Sequence, residues 1–538
     1  MLKNSGIRDS AIVMSIPQTK NITSLKPSFE FGGIPGVIWL LSGGFLLLTA
    51  TYGLVVPLNG DEALYWQHGR HLDWGFYTHP PMTGFLIRVS TILLGDTLLG
   101  IRLVSSLLGT GTLLLLYLMA KESTGSKRTA FFSVLIYLLF PLTFGLGVVM
   151  VTDVPLLFFH TAAVFFVRKA LIDEWTPGWL LAGLMIGLMM QSKYLGSLIV
   201  PGLALFVLIH PKYRKCLFQG MTYLGAFVSI FVFSRYLLWD YQNGWTNLEF
   251  QFRIRTRDDE FDFANLWDYL GSIILVYTPM VAVALALVIP KHLKLVQSEN
   301  SKEIMSQQDS LMLLAWLHIG ILGGYLLLSL RVSFGAHWLA FLQPLSAILL
   351  GAGMSQLQSI SRRASRWWAG LGTASLLVVG IPVYLLLLAP KLLPSEHLYL
   401  SEVNPSQRAV SNYFGWKEVG NHIARLKDEL TADSPNLFLS SHDYSLASVL
   451  SFYTPGQPDF ALFNYENSVH GREYLDWSQP LLKDKGNTLM VSDSPNTYRE
   501  LLPHYHEVLN LPTLEIRDQQ GLLRVFYFHL GKRFKEGS

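Results

Sequence analysis

The sequence predicts an α-helical polytopic membrane protein of about 11 transmembrane helices with a C-terminal soluble α/β domain. Three observations carry that prediction. First, 51% of the 538 residues are hydrophobic and only 15% are charged, whereas soluble globular proteins carry about a quarter charged residues. Second, apolar runs of 15 to 24 residues recur through the first 390 positions, near the ~17–25 residues that cross a hydrocarbon core. Third, beyond residue 390 the long runs give way to short ones rich in β-branched and aromatic residues, the pattern of strands.

Eleven spans are expected, at 34–57, 98–119, 129–149, 152–172, 178–192, 194–210, 216–239, 266–289, 310–330, 337–356 and 367–389. The apolar run 178–210 is 33 residues long, about 50 Å as one helix, so it is divided near Gln191-Ser192-Lys193. The first 33 residues are polar and lack the short apolar core and cleavage site of a signal peptide, so the first span is expected to remain as an anchor. The segments on the side of the N-terminus hold 18 lysines and arginines, against seven in the opposite loops. By the positive-inside rule this predicts a cytoplasmic N-terminus in a cell inner (plasma) membrane. It also places the loops 58–97 and 240–265 outside, with a periplasmic or extracellular domain over 390–538.

In that domain "NLFLSSHDYSLASVLSFYTPGQPDFALF" predicts a strand, a helix from about Asp443 to Tyr453, a Pro-Gly turn and a second strand. "NTLMVSD" and "LLRVFYFHL" predict two more strands. A net charge of +3 points away from nucleic acid, and the lone Cys216 excludes an internal disulfide framework.

Ionisable groups are costly inside a bilayer and mark function or an interfacial end. Arg102, Asp153, Lys193, Arg235, Asp268 and His337 all fall at the same predicted ends of their spans, and only His160 and His318 sit near mid-span. A transporter gathers its site near the midplane. An enzyme acting on a lipid head group gathers polar residues at one face, so the distribution favours the enzyme. The alternative is a flippase or transporter of lipid-linked sugars.

The stretch "NGDEALYWQHGRHLDWGFYTHPPM", Asn59 to Met82, is the densest polar segment among the spans. Asn59 with Glu62 three residues on is a capping-box-like start, and Asp61 and Glu62 in a first turn suit the helix dipole. That is the purely structural reading of the acid pair. Helical spacing puts Asp61, Tyr65 and His68 on one face. Trp66, Trp74, Phe76 and Tyr77 read as an aromatic belt on a helix lying along the membrane surface. Pro80-Pro81 ends one element and starts the next, to about Leu94. His68 and His71 could share a metal with His79 or an acid. A carboxylate here could take a proton from an acceptor hydroxyl while nearby cations hold a lipid-linked phosphate.

The motifs "DEALYW", "GFYTHPPMTGFLIR" with "LGDTLLGIRLVSSLLGT", "MVTDVPLLFF", "GLMMQSKYLGSLIVPGL", "WDYQNGWTNLEFQF" and "GAHWLAFLQPL" occur in that order. Together, over roughly residues 35 to 350, the chain resembles the membrane glycosyltransferases that use polyprenyl-phosphate sugars. These include the protein O-mannosyltransferases (family 39-like) and the aminoarabinose transferase acting on lipid A. The resemblance implies a GT-C fold, an inverting transfer, a polyprenyl-phosphate sugar donor and a lipid, glycan or protein acceptor. By position, Asp61 matches the acid that acts as base or orients the acceptor, and Asp153 matches a second external acid. Lys193 matches a lysine near the donor phosphate, and His79 stands in a segment usually written with lysine before Pro-Pro. Gln251, Arg253 and Arg255 match a polar stretch after the Asn-Gly-Trp motif, Gln251 as substrate-binding and the two arginines expected with Lys193 and His79 at the donor phosphate. His337-Trp338 matches a polar-aromatic pair, and Glu62 and Tyr65 are carried with it as substrate-binding.

The aminoarabinose transferase has arginine at the position of Leu64, and glutamate and lysine at those of Thr78 and His79. That glutamate helps hold a zinc ion, so no metal ligand is assigned here and a divalent cation is left open. Structural alternatives stand beside each residue. Asp153 before Val154-Pro155 could begin a helix, Lys193 could snorkel, and "RIRTRDDEFD" could be a self-neutralising loop.

Overall fold

The computed structural model describes residues 30–254, 264–293, 302–331, 335, 337–388, 412–463, 470–519 and 521–535. A short hairpin, β1 (Glu30–Phe31) and β2 (Ile34–Pro35), precedes a bundle of helices. These run α1 (Gly36–Gly53), α2 (Gly60–Arg70), α3 (Met82–Leu94), α4 (Leu98–Thr124), α5 (Lys127–Leu139), α6 (Thr143–Val148), α7 (Asp153–Leu171) and α8 (Gly178–Ser192). They continue as α9 (Ile199–Ile209), α10 (Gly220–Gln242), α11 (Thr246–Glu249), α12 (Ala264–Tyr277), α13 (Pro279–His292), α14 (Lys302–Ser329), α15 (Gln343–Ile360) and α16 (Arg362–Leu388).

Among the described residues six helices are long and apolar enough to cross a membrane, or eight if each of two sharply bent pairs is one span. The eleven expected spans each meet helical structure, but not eleven uninterrupted rods. The run 129–149 breaks after Phe140 into α5 and α6, because Pro141 cannot continue the helical hydrogen bonding. The run 266–289 bends by 94° between α12 and α13, where Thr278 takes φ +63° ahead of Pro279. The long run 178–210 divides at Lys193, which is extended (φ −162°, ψ 135°) between α8 and a short 3-10 turn, Tyr194–Leu198.

Residues 416–535 form the C-terminal α/β domain. Its sheet runs β4 (Phe460–Leu462), β3 (Phe438–Ser441), β5 (Thr488–Ser492), β7 (Leu522–Phe534) and β6 (Tyr505–Arg517). The first three strands are parallel and the last two antiparallel to their neighbours. Helices α17 (Trp416–Thr431), α18 (Tyr444–Tyr453) and α19 (Tyr474–Leu482) pack on it. The expected helix 443–453 and the four expected strands are present. Strand β6 and helices α17 and α19 are additional.

The domain seats directly on α2. Leu58, Ala63, Leu64, Trp66, Ile87 and Ile101 share one buried apolar cluster with Leu446, Val449, Leu450 and the sheet residues behind them. Trp66 is fully buried, meets Phe452 edge-on at 5.2 Å and donates its indole N–H to Asp96 at 2.8 Å. Eight of the eleven α2 residues are buried. Helix α2 is therefore enclosed between bundle and domain. Trp66 and Phe76 are core residues and not part of an aromatic belt, while Trp74 is exposed.

Candidate functional site

Helix α2 begins with the capping box expected from its sequence. The Asn59 side chain accepts from the Glu62 amide at 2.9 Å, and Glu62 Oε2 approaches the Asn59 amide at 3.4 Å. Successive helical side chains diverge by about 100°, so the adjacent acids part. Asp61 is exposed, whereas Glu62 is completely buried. Arg102 grips Glu62 with two bonds, 2.8 and 2.5 Å, and donates to the carbonyls of Gly53, Val56 and Pro57. The Met150 amide adds a 2.9 Å bond to Glu62. Every Glu62 oxygen is thus occupied by the protein. Its side chain lies out of reach of a substrate and ties α2 to α1, α4 and the start of α7.

The start of α7 carries the second group. Asp153 is buried and does not cap its own helix; both its oxygens instead accept from Lys193 Nζ, at 2.8 and 3.0 Å. His337 Nε2 lies 3.5 Å from the same carboxylate, and Trp338 lies beneath the lysine, 5.6 Å from ring centroid to Nζ. Four residues drawn from three separate motifs therefore meet. Lys193 reaches Asp153 because the chain leaves helical geometry there, so the lysine turns inward and does not snorkel.

Tyr65 lies within electrostatic reach of both Asp61 and Asp153. It is buried, and its hydroxyl is 3.4 Å from His79 Nε2. Burial, followed by the charges of Asp61 and Asp153, pushes its hydroxyl well above the usual tyrosine range, so it stays a proton donor.

The segment around His79 is clamped from two sides. From the bundle, Asn247 donates to the Phe76 carbonyl at 2.7 Å and Gln251 to the Thr78 carbonyl at 2.8 Å. Asp240 holds this reverse corner by accepting the Asn247 and Leu248 amides, and Trp245 takes the left-handed φ of +62°. A Cβ on Gly75 would fall 2.3 Å from the Trp239 ring, so the loop can lie flat on α10 only as glycine. The motif "WDYQNGWTNLEFQF" is accordingly a brace, with Gln251 on the backbone of the loop. From the C-terminal domain, Glu473 accepts the Thr78 amide at 3.1 Å and its hydroxyl at 2.5 Å. His68 Nε2 is 3.5 Å from Glu473 and stacks on Phe76 at 3.7 Å. Burial holds His68 below the usual histidine range. Burial opposes ionisation of Glu473, but the adjacent His68 and the bonds from Thr78 outweigh it and keep the carboxyl below its ordinary value.

The three histidines read as a metal set face different ways. His68 turns to Glu473, His71 stacks on Trp477 at 4.8 Å beside Asp459, and His79 turns to Tyr65 and His470. Among the described residues no three His, Cys, Asp or Glu side chains gather to hold a metal ion. Arg253 is exposed and pairs with Glu249 at 3.0 Å. Arg255 lies outside the described residues.

A family model described as dolichyl-phosphate-mannose-protein mannosyltransferase matches residues 78–239. The lipid A galacturonosyltransferase RgtD of Rhizobium johnstonii is 34% identical over 182 residues, covering 32% of this chain and 38% of that protein. An undecaprenyl phosphate-alpha-4-amino-4-deoxy-L-arabinose arabinosyl transferase of Pseudomonas fluorescens is 29% identical over 199 residues, 33% of this chain and 34% of that protein. The match therefore spans little more than a third of the length of either curated relative. Among solved structures, ArnT from Cupriavidus metallidurans superposes with a TM-score of 0.59 at 15% identity, over 92% of this chain and 98% of that one. The chain has the GT-C glycosyltransferase fold. At 15% identity the ArnT likeness shows the fold alone, and it extends the GT-C architecture through the C-terminal domain.

In this GT-C chain the residues that sequence reasoning missed come from that domain. Tyr444 donates its hydroxyl to Asp61 Oδ1 at 3.2 Å, His470 lies 6.1 Å from His79 between ring centroids, and Glu473 holds Thr78. Each follows the carboxyl end of a parallel strand, where ligands of open α/β sheets collect. The predicted β3–α18 boundary was the one available signal for Tyr444.

Proposed function

We propose that the chain is a membrane glycosyltransferase that moves one hexosyl or pentosyl unit from a polyprenyl-phosphate carrier to an acceptor hydroxyl, with inversion. The acceptor is a glycolipid, glycan or protein on the external face of the inner membrane. The N-terminus is cytoplasmic and the C-terminal domain external, a reading supported by the excess of lysine and arginine on the N-terminal side. One observation carries the reading: an exposed carboxylate, Asp61, and the Asp153–Lys193–His337 group both lie within electrostatic reach of the buried Tyr65, whose hydroxyl meets His79.

Asp61 accepts the acceptor's hydroxyl proton as its oxygen attacks the anomeric carbon. The bond from that carbon to the phosphate oxygen breaks, and its electron pair leaves with the polyprenyl phosphate. Lys193, kept in place by Asp153, and His79 neutralise the charge that develops on the leaving phosphate. His337 and Trp338 line the donor side of the same group. The relatives named above act, as their names state, on undecaprenyl-phosphate aminoarabinose or on lipid A, and ArnT has been solved with undecaprenyl phosphate. That supports the donor class without fixing this chain's sugar.

The test is transfer in proteoliposomes with radiolabelled polyprenyl-phosphate sugars and a mixed glycan acceptor pool, wild type beside Asp61→Asn. Wild type should release label to acceptor, and the Asn variant should lose at least about a hundredfold at equal abundance. An Asn variant with full activity removes the base assignment. Donor that crosses the bilayer intact would make the chain a flippase of lipid-linked sugars.

A further inference from the structure

We propose that Tyr444, a residue of the C-terminal domain, is a positioning residue of the transfer site that fixes the carboxylate of Asp61. The proposal rests on the transferase reading above and gives the domain a direct part in the chemistry.

The hydroxyl of Tyr444 meets Asp61 Oδ1 at 3.2 Å. Asp61 is exposed and Tyr444 half-buried, so this bond is open to solvent, unlike the sealed Glu62–Arg102 pair next to it. Tyr444 also has little freedom. It is the first residue of α18, whose start is capped by Asp443 accepting the Ser445 and Leu446 amides at 2.9 and 3.2 Å. Ser448 closes the same turn by donating to the Tyr444 carbonyl at 2.7 Å. Next to it, Ser445 seats on Gly60 so closely that a Cβ on Gly60 would fall 1.7 Å from the serine Oγ and 3.2 Å from its Cα. The N-termini of α2 and α18 are therefore closely packed, the Ser445 side chain against the Gly60 backbone, and the Tyr444–Asp61 geometry is set by that packing. Beside it, His470 of the same domain has its ring 5.8 Å from that of Tyr444 and 6.1 Å from that of His79.

A carboxylate at an exposed helix start is free to rotate and to hydrogen-bond with water. A phenol held on a rigid helix fixes one carboxylate oxygen and leaves the other to take the acceptor's proton. Burial, then the charges of Asp61 and Asp443, push the Tyr444 hydroxyl far above the usual range. It remains the donor in this bond at every pH at which the enzyme would work.

The experiment measures initial rates of purified full-length wild type, Tyr444→Phe and Asp61→Asn, varying donor and acceptor separately, together with each protein's thermal midpoint. Tyr444→Phe removes only the hydroxyl. The expected result is a kcat about tenfold lower or more, with the donor KM and the midpoint unchanged, since a bond to a carboxylate is lost without loss of packing. Unchanged kcat in Tyr444→Phe, with Asp61→Asn inactive, would overturn the positioning role and leave the transferase reading intact. A fall in kcat matched by a lower midpoint and a raised donor KM would also overturn it, as that is the signature of loosened docking. An active Asp61→Asn would remove both the base assignment and the role of Tyr444.

Discussion

Helices α4 and α7 are charged at both ends, and the two ends use their charge in opposite ways. At one end Arg168 of α7 reaches Glu122 of α4 at 2.9 Å and Asp173 at 2.6 Å, while Lys169 takes the other Glu122 oxygen at 2.8 Å. Lys212 with Asp309 and Lys215 with Glu174 continue the pattern on neighbouring segments. Acids and bases there satisfy one another across helices, and the result is a tie. At the other end Arg102 and Asp153, on the same two helices, do not pair. Arg102 turns to Glu62 and Asp153 to Lys193 and His337. Of these two groups only the second opens outward, through a His337 side chain that is 50% exposed. Ion pairing therefore does not mark a site in this molecule. A buried pair whose enclosure is incomplete does.

Breaking the sealed pair should have the largest effect on the protein itself. Arg102→Met leaves the Glu62 carboxyl enclosed without its cation, and three backbone carbonyls lose their donor. Removing one partner of a buried pair costs about 3–5 kcal/mol. The variant should show a sharply lowered thermal midpoint in detergent and a poor yield. A midpoint equal to wild type would mean that the pair does not hold α2 to the bundle.

Lys193→Met should instead spare the fold and remove turnover. Asp153 keeps Thr152 and the half-exposed His337 as partners, so its charge is not left stranded in the same way. Loss of a cation aimed at a leaving phosphate costs about 10²–10³ in kcat by analogy with single oxyanion donors. Initial rates on folded protein decide this. Near-normal kcat would reduce Lys193 to a counter-ion for Asp153 and erase the contrast with Arg102.

Much of this contrast was legible in the sequence where its cause is local. The break at Lys193, the Asn59–Glu62 capping box and the helix after Pro81 each follow from neighbouring residues, and so do the strands at 438–441 and 488–492. What the sequence could not separate was Asp61 from Glu62, two adjacent acids that chemistry treats alike. Their roles diverge because α2 presents them in different directions and because Arg102 lies 40 residues away. Nor did it reveal that a domain beginning some 350 residues later would cover Trp66 and supply Tyr444 and Glu473. Strand β6 escaped notice because most of its residues are exposed or half-exposed and its ladder shifts register near Pro512. Long-range seating carries that information, and local pattern does not.

The smallest effect should come from Arg253, which the family resemblance placed beside Lys193 at the donor phosphate. The structure puts its side chain 80% in solvent on a short π-turn, Phe250–Ile254, paired with Glu249 four residues back. An exposed pair at that spacing is worth roughly 0.3–0.5 kcal/mol. Its charge also lacks the low-dielectric surroundings that make Lys193 effective. Arg253→Ala should therefore leave the transfer rate within about twofold of wild type and the midpoint unchanged. A tenfold loss that appears only as a raised donor KM would show that this turn folds over the polyprenyl phosphate when it binds. The incompletely enclosed group would then extend from Lys193 outward to the segment beyond α10, and the boundary between sealed and open charge would have to be redrawn with the donor in place.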